Sequence, residues 1–418
     1  MNPKIEININ SEIGELEGVI LHTPGLEVEN MTPENAERAL YSDILNLSVA
    51  SLEYAQFKGA LEKITKTFQV KNLLSDILHT DKVKRTIVKK VCQNEIIPEL
   101  YDYLISKEAI ELSNLLIEGV SIRKNTLTRY LSKERFILRP LHNFFFTRDA
   151  SVAINDYVLV SKMANKVRER ESLIMEAIFD YHPNFNTTTI NPAKEEDINS
   201  KVSMEGGDIL IAREDILLIG ISSRTTSEGI DYILKKAKSK NIKHIIAQEL
   251  PYSPESFIHL DMVFTMLDVD KCMIYEPLIL KSNRYLTLHI SIENGKVSSI
   301  TEEENLLTAL KKLKFDLKPL MCGGSDIYNQ EREQWHSGAN FFALAPGKVI
   351  GYQRNVHTIE ELNKNGFEVL NAKDVINEKV NPNDYSKYVI TIHGSELSRG
   401  GGGCRCMTMP IRRKDVNW

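Results

Sequence analysis

A short strand–turn–strand pattern recurs along this chain, and it constrains the fold more than any other feature. The pattern occurs at residues 154–160, 213–220, 269–275 and 345–351, after a first strand predicted over residues 13–22. In each case apolar residues flank a turn with Asn, Asp or Gly, and a helical stretch usually follows. Because the same unit returns at long intervals, the sequence predicts a closed, propeller-like array of α/β modules.

The strand pattern stops between residues 75 and 136. Apolar side chains there recur at helical spacing, for example Ile87 and Val91. We interpret residues 75–136 as an inserted all-helical domain. The remainder, residues 1–74 and 137–418, would form the α/β domain.

The composition limits the classes of function. The chain has 418 residues, 42% of them hydrophobic, which is ample for a core. A net charge of −5 with acidic and basic residues intermixed argues against a nucleic acid or a membrane surface as partner. Five scattered cysteines suit a reducing compartment, and no apolar run reaches the length of a membrane span. We therefore expect a cytoplasmic protein.

A candidate nucleophile lies near the C-terminus. Four glycines, residues 400–403, precede Cys404, Arg405 and Cys406. Glycine allows sharp turns and close backbone approach, and a nearby cation is one way to activate a thiol. The alternative is an inert, flexible tail, although an apolar strand is predicted directly before this segment at residues 388–392.

Two carboxylate stretches lie beside predicted strands. An aromatic strand predicted from His142 ends in Asp149. Glu205 and Asp208 flank a Gly-Gly turn at the head of a buried strand. Each alone could be a simple turn, so neither identifies a site by itself.

Two further stretches add an imidazole and a guanidinium. Arg224 follows a predicted strand end. In Ile258-His259-Leu260-Asp261, alternation along a strand would place His259 and Asp261 on one face. Such a pair can be structural, metal-binding or catalytic.

A site that combined these groups would be strongly negative and would require a cation. In one hypothesis a guanidinium lies between Asp149 and Asp261, and the Cys406 thiolate attacks its central carbon. In the other, a transition metal that activates water is bound by His259, Asp261, Glu205 and Cys406. The chain lacks the His-Glu-x-x-His and Cys-x-x-Cys metal motifs, so we favour the guanidinium.

The chain resembles the arginine deiminase family of guanidine-modifying enzymes, within the pentein superfamily. The motifs that carry the resemblance span nearly the whole chain: Ser11-Glu12-Ile13-Gly14-Glu15-Leu16, Phe146-Thr147-Arg148-Asp149, Glu205-Gly206-Gly207-Asp208, His259-Leu260-Asp261, Arg332-Glu333-Gln334-Trp335 and Cys406-Met407-Thr408-Met409-Pro410. The resemblance implies a five-bladed pseudosymmetric α/β propeller with an inserted helical domain. It also implies hydrolysis of free L-arginine to L-citrulline and ammonia through a covalent S-alkylthiouronium intermediate, without metal or organic cofactor.

The resemblance also assigns roles to residues. Catalysis would involve Cys406 as nucleophile, His259 as general acid and base, Glu205 as its orienting carboxylate, and Asp149 and Asp261 as the guanidinium clamp. Substrate binding would involve Arg168 and Arg224 at the α-carboxylate, and Asn143 and the backbone of Phe146 at the α-amino group.

Two positions depart from the family pattern. Many relatives have an arginine at Gly401, where it takes part in gating a loop, and a small residue at Cys404. Cys404 is either an inert loop residue or a redox partner of Cys406. The substrate alternatives are agmatine and methylated arginine. A non-enzymatic arginine-binding protein is a further alternative, and a homo-oligomer is compatible with the sequence.

Overall fold

Strands and helices alternate along most of the chain. The structure, a computed structural model, describes residues 4–36, 41, 43–237 and 241–418. Its strands are β1 Ile5–Glu6, β2 Leu16–Leu21, β3 Lys66–Gln69, β4 Val120–Ser121, β5 Phe136–Leu138, β6 Ser151–Ile154, β7 Tyr157–Val160, β8 Phe185–Asn186, β9 Thr188–Ile190, β10 Ile209–Arg213, β11 Ile216–Ile221, β12 His244–Glu249, β13 Phe264–Asp268, β14 Lys271–Ile274, β15 Thr287–Glu293, β16 Lys296–Glu303, β17 Lys318–Met321, β18 Phe342–Ala345, β19 Lys348–Tyr352, β20 Glu368–Asn371, β21 Tyr388–Ile392 and β22 Met409–Arg413. Its helices are α1 Leu26–Glu29, α2 Pro33–Ala36, α3 Leu47–Glu62, α4 Val70–Leu78, α5 Asp81–Glu95, α6 Tyr101–Ile105, α7 Ala109–Glu118, α8 Leu127–Leu131, α9 Thr147–Ala150, α10 Glu169–Tyr181, α11 Ser227–Ala237, α12 Glu276–Ile279, α13 Leu306–Lys312, α14 Ile327–Trp335, α15 Val356–Lys364 and α16 Ala372–Ile376.

Five sheets share one pairing pattern, in which an antiparallel pair is extended by a strand parallel to one of its members. The five sets are β22-β2-β3, β6-β7-β9, β10-β11-β12, β13-β14-β17 and β18-β19-β21. The four hairpins predicted from the recurring pattern are confirmed as β6–β7, β10–β11, β13–β14 and β18–β19. The strands predicted near the two chain ends are confirmed as β2 and β21.

The five sheets contact one another in a cyclic order. Strand β22 contacts β6, helix α9 contacts the 3₁₀ turn Gly206–Asp208 before β10, and β10 contacts the 3₁₀ turn Leu260–Met262 before β13. Strand β13 contacts β18, and β18 contacts β2 of the first sheet. The antiparallel pairs of the five sheets, four of them hairpins and the fifth β22–β2, therefore follow one another in a cycle.

A mainly helical segment, α4 to α8, connects two of these sheets. Helices α4 and α5 pack against α10, and their apolar side chains share one hydrophobic cluster with β6 and β7. The prediction that residues 75–136 are wholly helical is wrong, because β4 pairs with β5. Helix α7 ends at Glu118, and the Gly119 that follows has a φ of +88°. The chain beyond Gly119 is extended and forms β4, whose backbone groups pair with those of β5.

Within the described part of the chain, no helix combines the length and the apolar character needed to cross a membrane. All five cysteines are buried and free.

The motif Arg332-Glu333-Gln334-Trp335 lies in α14 and connects neighbouring segments. Glu333 accepts hydrogen bonds at the start of α15 from the backbone amides of His357 and Thr358, at 2.9 and 2.8 Å, and from the Thr358 hydroxyl at 2.6 Å. The Gln334 side-chain amide donates to the carbonyls of Ser256 and Met262, at 2.7 and 3.3 Å. The motif therefore fixes both a helix start and the segment that leads into β13.

Replacing Glu333 with alanine should destabilise the fold. The change would leave buried donors at the start of α15 without an acceptor, and we expect a loss of about 2–4 kcal/mol in the free energy of unfolding. Urea denaturation followed by circular dichroism measures this. Glu331→Ala, an exposed position in the same helix, is the control and should change stability by less than about 0.5 kcal/mol. Equal stability of the two variants would contradict the capping role.

Candidate active site

The five predicted catalytic residues lie at equivalent places in four of the five sheets, just before one strand of the antiparallel pair. Asp149 lies in α9 before β6, and Glu205 precedes the turn into β10. His259 and Asp261 precede β13, and Cys406 precedes β22. All five residues are at most 3% exposed. The structure therefore brings together residues that are far apart in the sequence.

Two of these segments are turns, not the strands that were predicted. His259 has an extended backbone and precedes the 3₁₀ turn Leu260–Met262, which contains Asp261. The Leu260 amide donates to Asp208 Oδ1 at 2.9 Å, so a side chain replaces the partner that a strand ladder would supply. The aromatic strand predicted before Asp149 is likewise a series of turns followed by α9.

Cys406 lies against the carboxylate of Asp261. Its Sγ is 3.8 Å from Oδ1 and 3.7 Å from Oδ2 of that residue. Burial, with the negative charges of Asp261 and Asp149, raises the pKa of the Cys406 thiol well above its ordinary value. Without a bound cation, the sulfur is therefore a protonated thiol.

Two other side chains fix the loop that carries Cys406. Asn340, directly before β18, accepts hydrogen bonds from the amides of Arg405 and Cys406 at 2.9 and 3.2 Å. Its amide group donates to the Asp261 carbonyl at 3.0 Å. Asn340 thus joins the segment of the nucleophile to the segment of Asp261.

The glycine run allows this approach. A Cβ on Gly403 would lie 2.7 Å from the Asn340 side chain, so no larger residue fits without displacing it. Gly401 has a φ of +83°, which glycine adopts without strain.

His259 forms an ion pair with Glu205. Its Nε2 lies 3.1 Å from Glu205 Oε2, and its Nδ1 lies 3.6 Å from Asp149 Oδ1. Burial opposes the charge on His259, but Asp149 and Glu205 outweigh burial and raise its pKa to about 9. Burial also opposes the charge on Glu205, but the contact with His259 outweighs it and lowers the Glu205 pKa to about 2. At neutral pH this is an imidazolium–carboxylate pair.

Arg168 already binds the Asp149 carboxylate. Its Nη1 donates to Asp149 Oδ2 at 2.7 Å and lies 3.8 Å from Glu205 Oε2. Its Nε and Nη2 donate to Glu171, with Nη2 at 2.7 Å. In this structure Arg168 therefore faces the acidic cluster, and it is itself 5% exposed.

The other predicted substrate-binding residues surround this cluster. Arg224 is partly exposed and lines a cavity of about 250 Å³ together with Trp335, Gly400 and Gly401. Its positive charge also lowers the pKa of Glu205, after the larger effects of burial, His259 and Arg168.

Asn143 and Phe146 are both buried at the start of the segment that leads to Asp149. The Asn143 carbonyl accepts from the Phe146 amide at 2.9 Å and from Arg168 Nη2 at 3.4 Å. The Phe146 carbonyl accepts from the Asp149 amide at 3.3 Å. Both residues thus hold Asp149 and Arg168 in place through backbone groups.

A model of the family described as arginine deiminase matches residues 37–413 of this sequence. The chain belongs to the arginine deiminase family. Over 435 residues it is 35% identical to an arginine deiminase from Bacillus thuringiensis subsp. konkukian, covering 99% of this chain and 100% of that protein. It is 32% identical over 435 residues to an arginine deiminase from Oenococcus oeni, covering 100% of this chain and 99% of the relative.

Two solved structures of other proteins have a similar fold. One is an amidinotransferase of the saxitoxin biosynthetic pathway from Microseira wollei, with a TM-score of 0.56, 14% identity and 98% of each chain covered. Another is DDAH from Pseudomonas aeruginosa in complex with citrulline, with a TM-score of 0.51 and 13% identity, covering 94% of this chain and 99% of that chain. The arginine deiminase family member described here shares their α/β fold.

The metal alternative required His259, Asp261, Glu205 and Cys406. In the part of the chain that the structure describes, the one group of three potential ligands close enough to share an ion is Asp149, Glu205 and His259. The guanidinium of Arg168 already contacts two members of that group.

Three buried residues of the site were not predicted as functional: Glu12, Arg148 and Asn340. Asn340 could have been found, because it lies before the first strand of a predicted hairpin, as Glu205 does. The pairing of Glu12 with Arg405 carries no local signal, because the two residues lie 393 positions apart.

The charge state of His259 gives a pH-dependent prediction. Its pKa is raised from 6.5 to about 9, so protonation adds stability that is fully present below pH 6.5 and is lost as the pH rises through about 9. Glu205→Gln should lower the His259 pKa, which NMR of labelled histidine measures. The stability difference between wild type and variant should be larger at about pH 6 than at about pH 10.

The matched control is Glu214→Gln, an exposed position beside the same sheet. It should leave the His259 titration unchanged. A His259 pKa that is the same with and without the Glu205 carboxylate would contradict the pairing.

Proposed function

We propose that this protein hydrolyses the guanidinium group of free L-arginine to L-citrulline and ammonia, with Cys406 as the nucleophile. The observation that carries the proposal is the guanidinium of Arg168 on Asp149, in a buried site that also contains a thiol. This carboxylate binds a planar cation of the substrate's own chemistry. The arginine deiminase relatives support the same reaction.

Substrate binding would begin with displacement of Arg168 from Asp149. The substrate guanidinium then lies between Asp149 and Asp261, whose oxygens accept its N–H donors. Arg168 and Arg224 would bind the substrate α-carboxylate. Asn143 and the Phe146 carbonyl would bind the α-amino group.

The bound cation makes the thiol reactive. Its charge neutralises the two carboxylates, which together with burial hold the Cys406 pKa high, so the thiol loses its proton to solvent water as the substrate binds. The thiolate attacks the guanidinium carbon and forms a neutral tetrahedral adduct. The His259 imidazolium donates its proton to the departing nitrogen, and ammonia leaves an S-alkylthiouronium cation on Cys406.

Hydrolysis would use the same groups in reverse. Neutral His259, held by Glu205, removes a proton from water, and the oxygen attacks the thiouronium carbon. The second adduct releases L-citrulline and the Cys406 thiolate. The hydroxyl proton of the second adduct converts ammonia to ammonium. The Cys406 thiolate takes a proton back from solvent water when citrulline leaves, so atoms and charge balance. Apart from water, each step uses only side chains of this chain.

The proposal extends to the architecture. We infer that the five sheets are the blades of a pseudosymmetric propeller, supported by their shared pairing pattern and cyclic contacts. Residues 1–74 and 137–418 would form this catalytic domain, and residues 75–136 the inserted domain. A cytoplasmic location and a homo-oligomeric assembly are parts of the same proposal.

Cys406→Ala should abolish citrulline formation and retain arginine binding. Asp149→Ala and Asp261→Ala should lose both, because loss of one partner from a buried charge pair costs about 3–5 kcal/mol. A colorimetric citrulline assay and calorimetry measure the two properties. Cys92→Ala, in α5, is the matched control and should turn over normally. Appreciable turnover by Cys406→Ala would exclude covalent catalysis.

Two treatments of the wild type separate the alternatives. Full activity after exhaustive chelation, with loss on thiol alkylation, would exclude the metal hydrolase. Arginine binding without release of ammonia would instead identify a binding protein.

Arg224→Met should distinguish free arginine from agmatine as substrate. Because agmatine has no carboxylate, the variant should raise KM for arginine about tenfold and leave the slower turnover of agmatine unchanged. Steady-state kinetics on both substrates measures this. Equal rates for arginine and agmatine in the wild type would contradict the assigned role of Arg224.

A further inference from the structure

A buried ion pair connects the two ends of the chain beside the nucleophile. Arg405 donates through Nε to Glu12 Oε2 at 2.9 Å and through Nη2 to Glu12 Oε1 at 3.0 Å, a bidentate arrangement. Nη2 also donates to the Ile209 carbonyl at 2.9 Å. Glu12 accepts in addition from the Ile211 amide at 3.1 Å. The pair is therefore fixed to β10.

The same arginine contacts the Asp261 carboxylate with its remaining side. Arg405 Nη1 donates to Asp261 Oδ2 at 2.8 Å, and the Cys406 sulfur lies 3.8 Å from Oδ1 and 3.7 Å from Oδ2. Arg405 thus binds one oxygen of Asp261, while the reacting sulfur lies near both. Arg405 contacts Asp261 through a single nitrogen because Glu12 takes the other two.

We propose that Glu12 is a positioning residue that acts through Arg405: it keeps Arg405 from closing on both oxygens of Asp261, so that Asp261 remains available to the substrate guanidinium. This inference rests on the proposed function, in which Asp261 is one arm of the clamp. It assigns a role to the N-terminal motif Ser11-Glu12, which the reaction scheme does not use.

The physical reason is competition between two guanidinium groups for one carboxylate. A bidentate pair is the preferred geometry of arginine with a carboxylate. Without the Glu12 charge, Asp261 is the nearest carboxylate to which Arg405 can turn its Nε and Nη2 edge. Asp261 would then bind Arg405 with both oxygens, and the substrate would lose one arm of its clamp.

Glu12→Gln tests the proposal, with Glu15→Gln as the matched control. Glu15 belongs to the same N-terminal motif but forms an exposed pair with Lys414. We expect Glu12→Gln to lower kcat/KM for arginine about tenfold or more, mainly through KM, and Glu15→Gln to match the wild type. Wild-type kcat and KM in Glu12→Gln would overturn the proposal.

A double variant covers the case in which Glu12→Gln fails to fold. Glu12→Gln combined with Arg405→Gln removes both charges of the Glu12–Arg405 pair together. Neither residue is then left as a buried charge without the other. In the double variant no protein guanidinium competes for Asp261. We therefore expect this protein to fold and to match Arg405→Gln alone within about threefold in kcat and KM, because Glu12 acts through Arg405. A KM for the double variant more than about threefold above that of Arg405→Gln alone would overturn the proposal.

A second readout is independent of arginine turnover. The groups that face the Cys406 thiol are Asp261, Asp149 and Arg405. Removing the Glu12 charge leaves Arg405 free to neutralise Asp261, so the pH of half-maximal alkylation of Cys406 by iodoacetamide should fall by about one pH unit. Mass spectrometry assigns the alkylated cysteine. An unchanged midpoint would overturn the role of Glu12, whereas a wild type without citrulline formation would overturn only the proposed function.

Discussion

Burial of several carboxylates at one place is possible here only because arginines are buried with them. Arg405 lies between Glu12 and Asp261, and Arg168 lies between Asp149 and Glu171. An isolated buried charge is strongly unfavourable, and an ion pair with several hydrogen bonds offsets most of that penalty. The arrangement keeps several carboxylates together in a buried site, and such a site favours the binding of a cation.

The repeated sheet pattern explains how such a site is assembled. In four of the sheets the site residues lie just before the first strand of a hairpin, and in the fifth Cys406 precedes β22, which pairs with β2. Asp149, Glu205, Asp261, Asn340 and Cys406 each come from a different sheet. Because strands are held by their ladders, groups from five distant stretches are fixed relative to one another without any local contact in sequence.

The sequence predicted the hairpins well, because a turn between two short apolar runs is a local signal. It failed at Ile258–Asp261, where alternation suggested a strand. The Asp208 side chain and the Gln334 amide bind the backbone there, and neither is visible from the local pattern.

The candidate nucleophile, imidazole and carboxylates could be named from motifs. The orientation of Arg168 could not, since it depends on a buried partner, Glu171, with a pKa raised to about 7 by burial.

The position of Arg168 has a consequence for selectivity. In the proposed reaction, where the substrate displaces Arg168, a tethered guanidinium on Asp149 would act as a competitor at high effective concentration. It would weaken the apparent affinity of every external guanidine by the same factor, including that of small guanidines or of arginine side chains within proteins. A ligand that offers the displaced arginine a carboxylate of its own recovers the lost binding energy. Discrimination between guanidine substrates would then depend on whether Arg168 can exchange the Asp149 carboxylate for a carboxylate of the substrate, and not on the shape of the pocket alone.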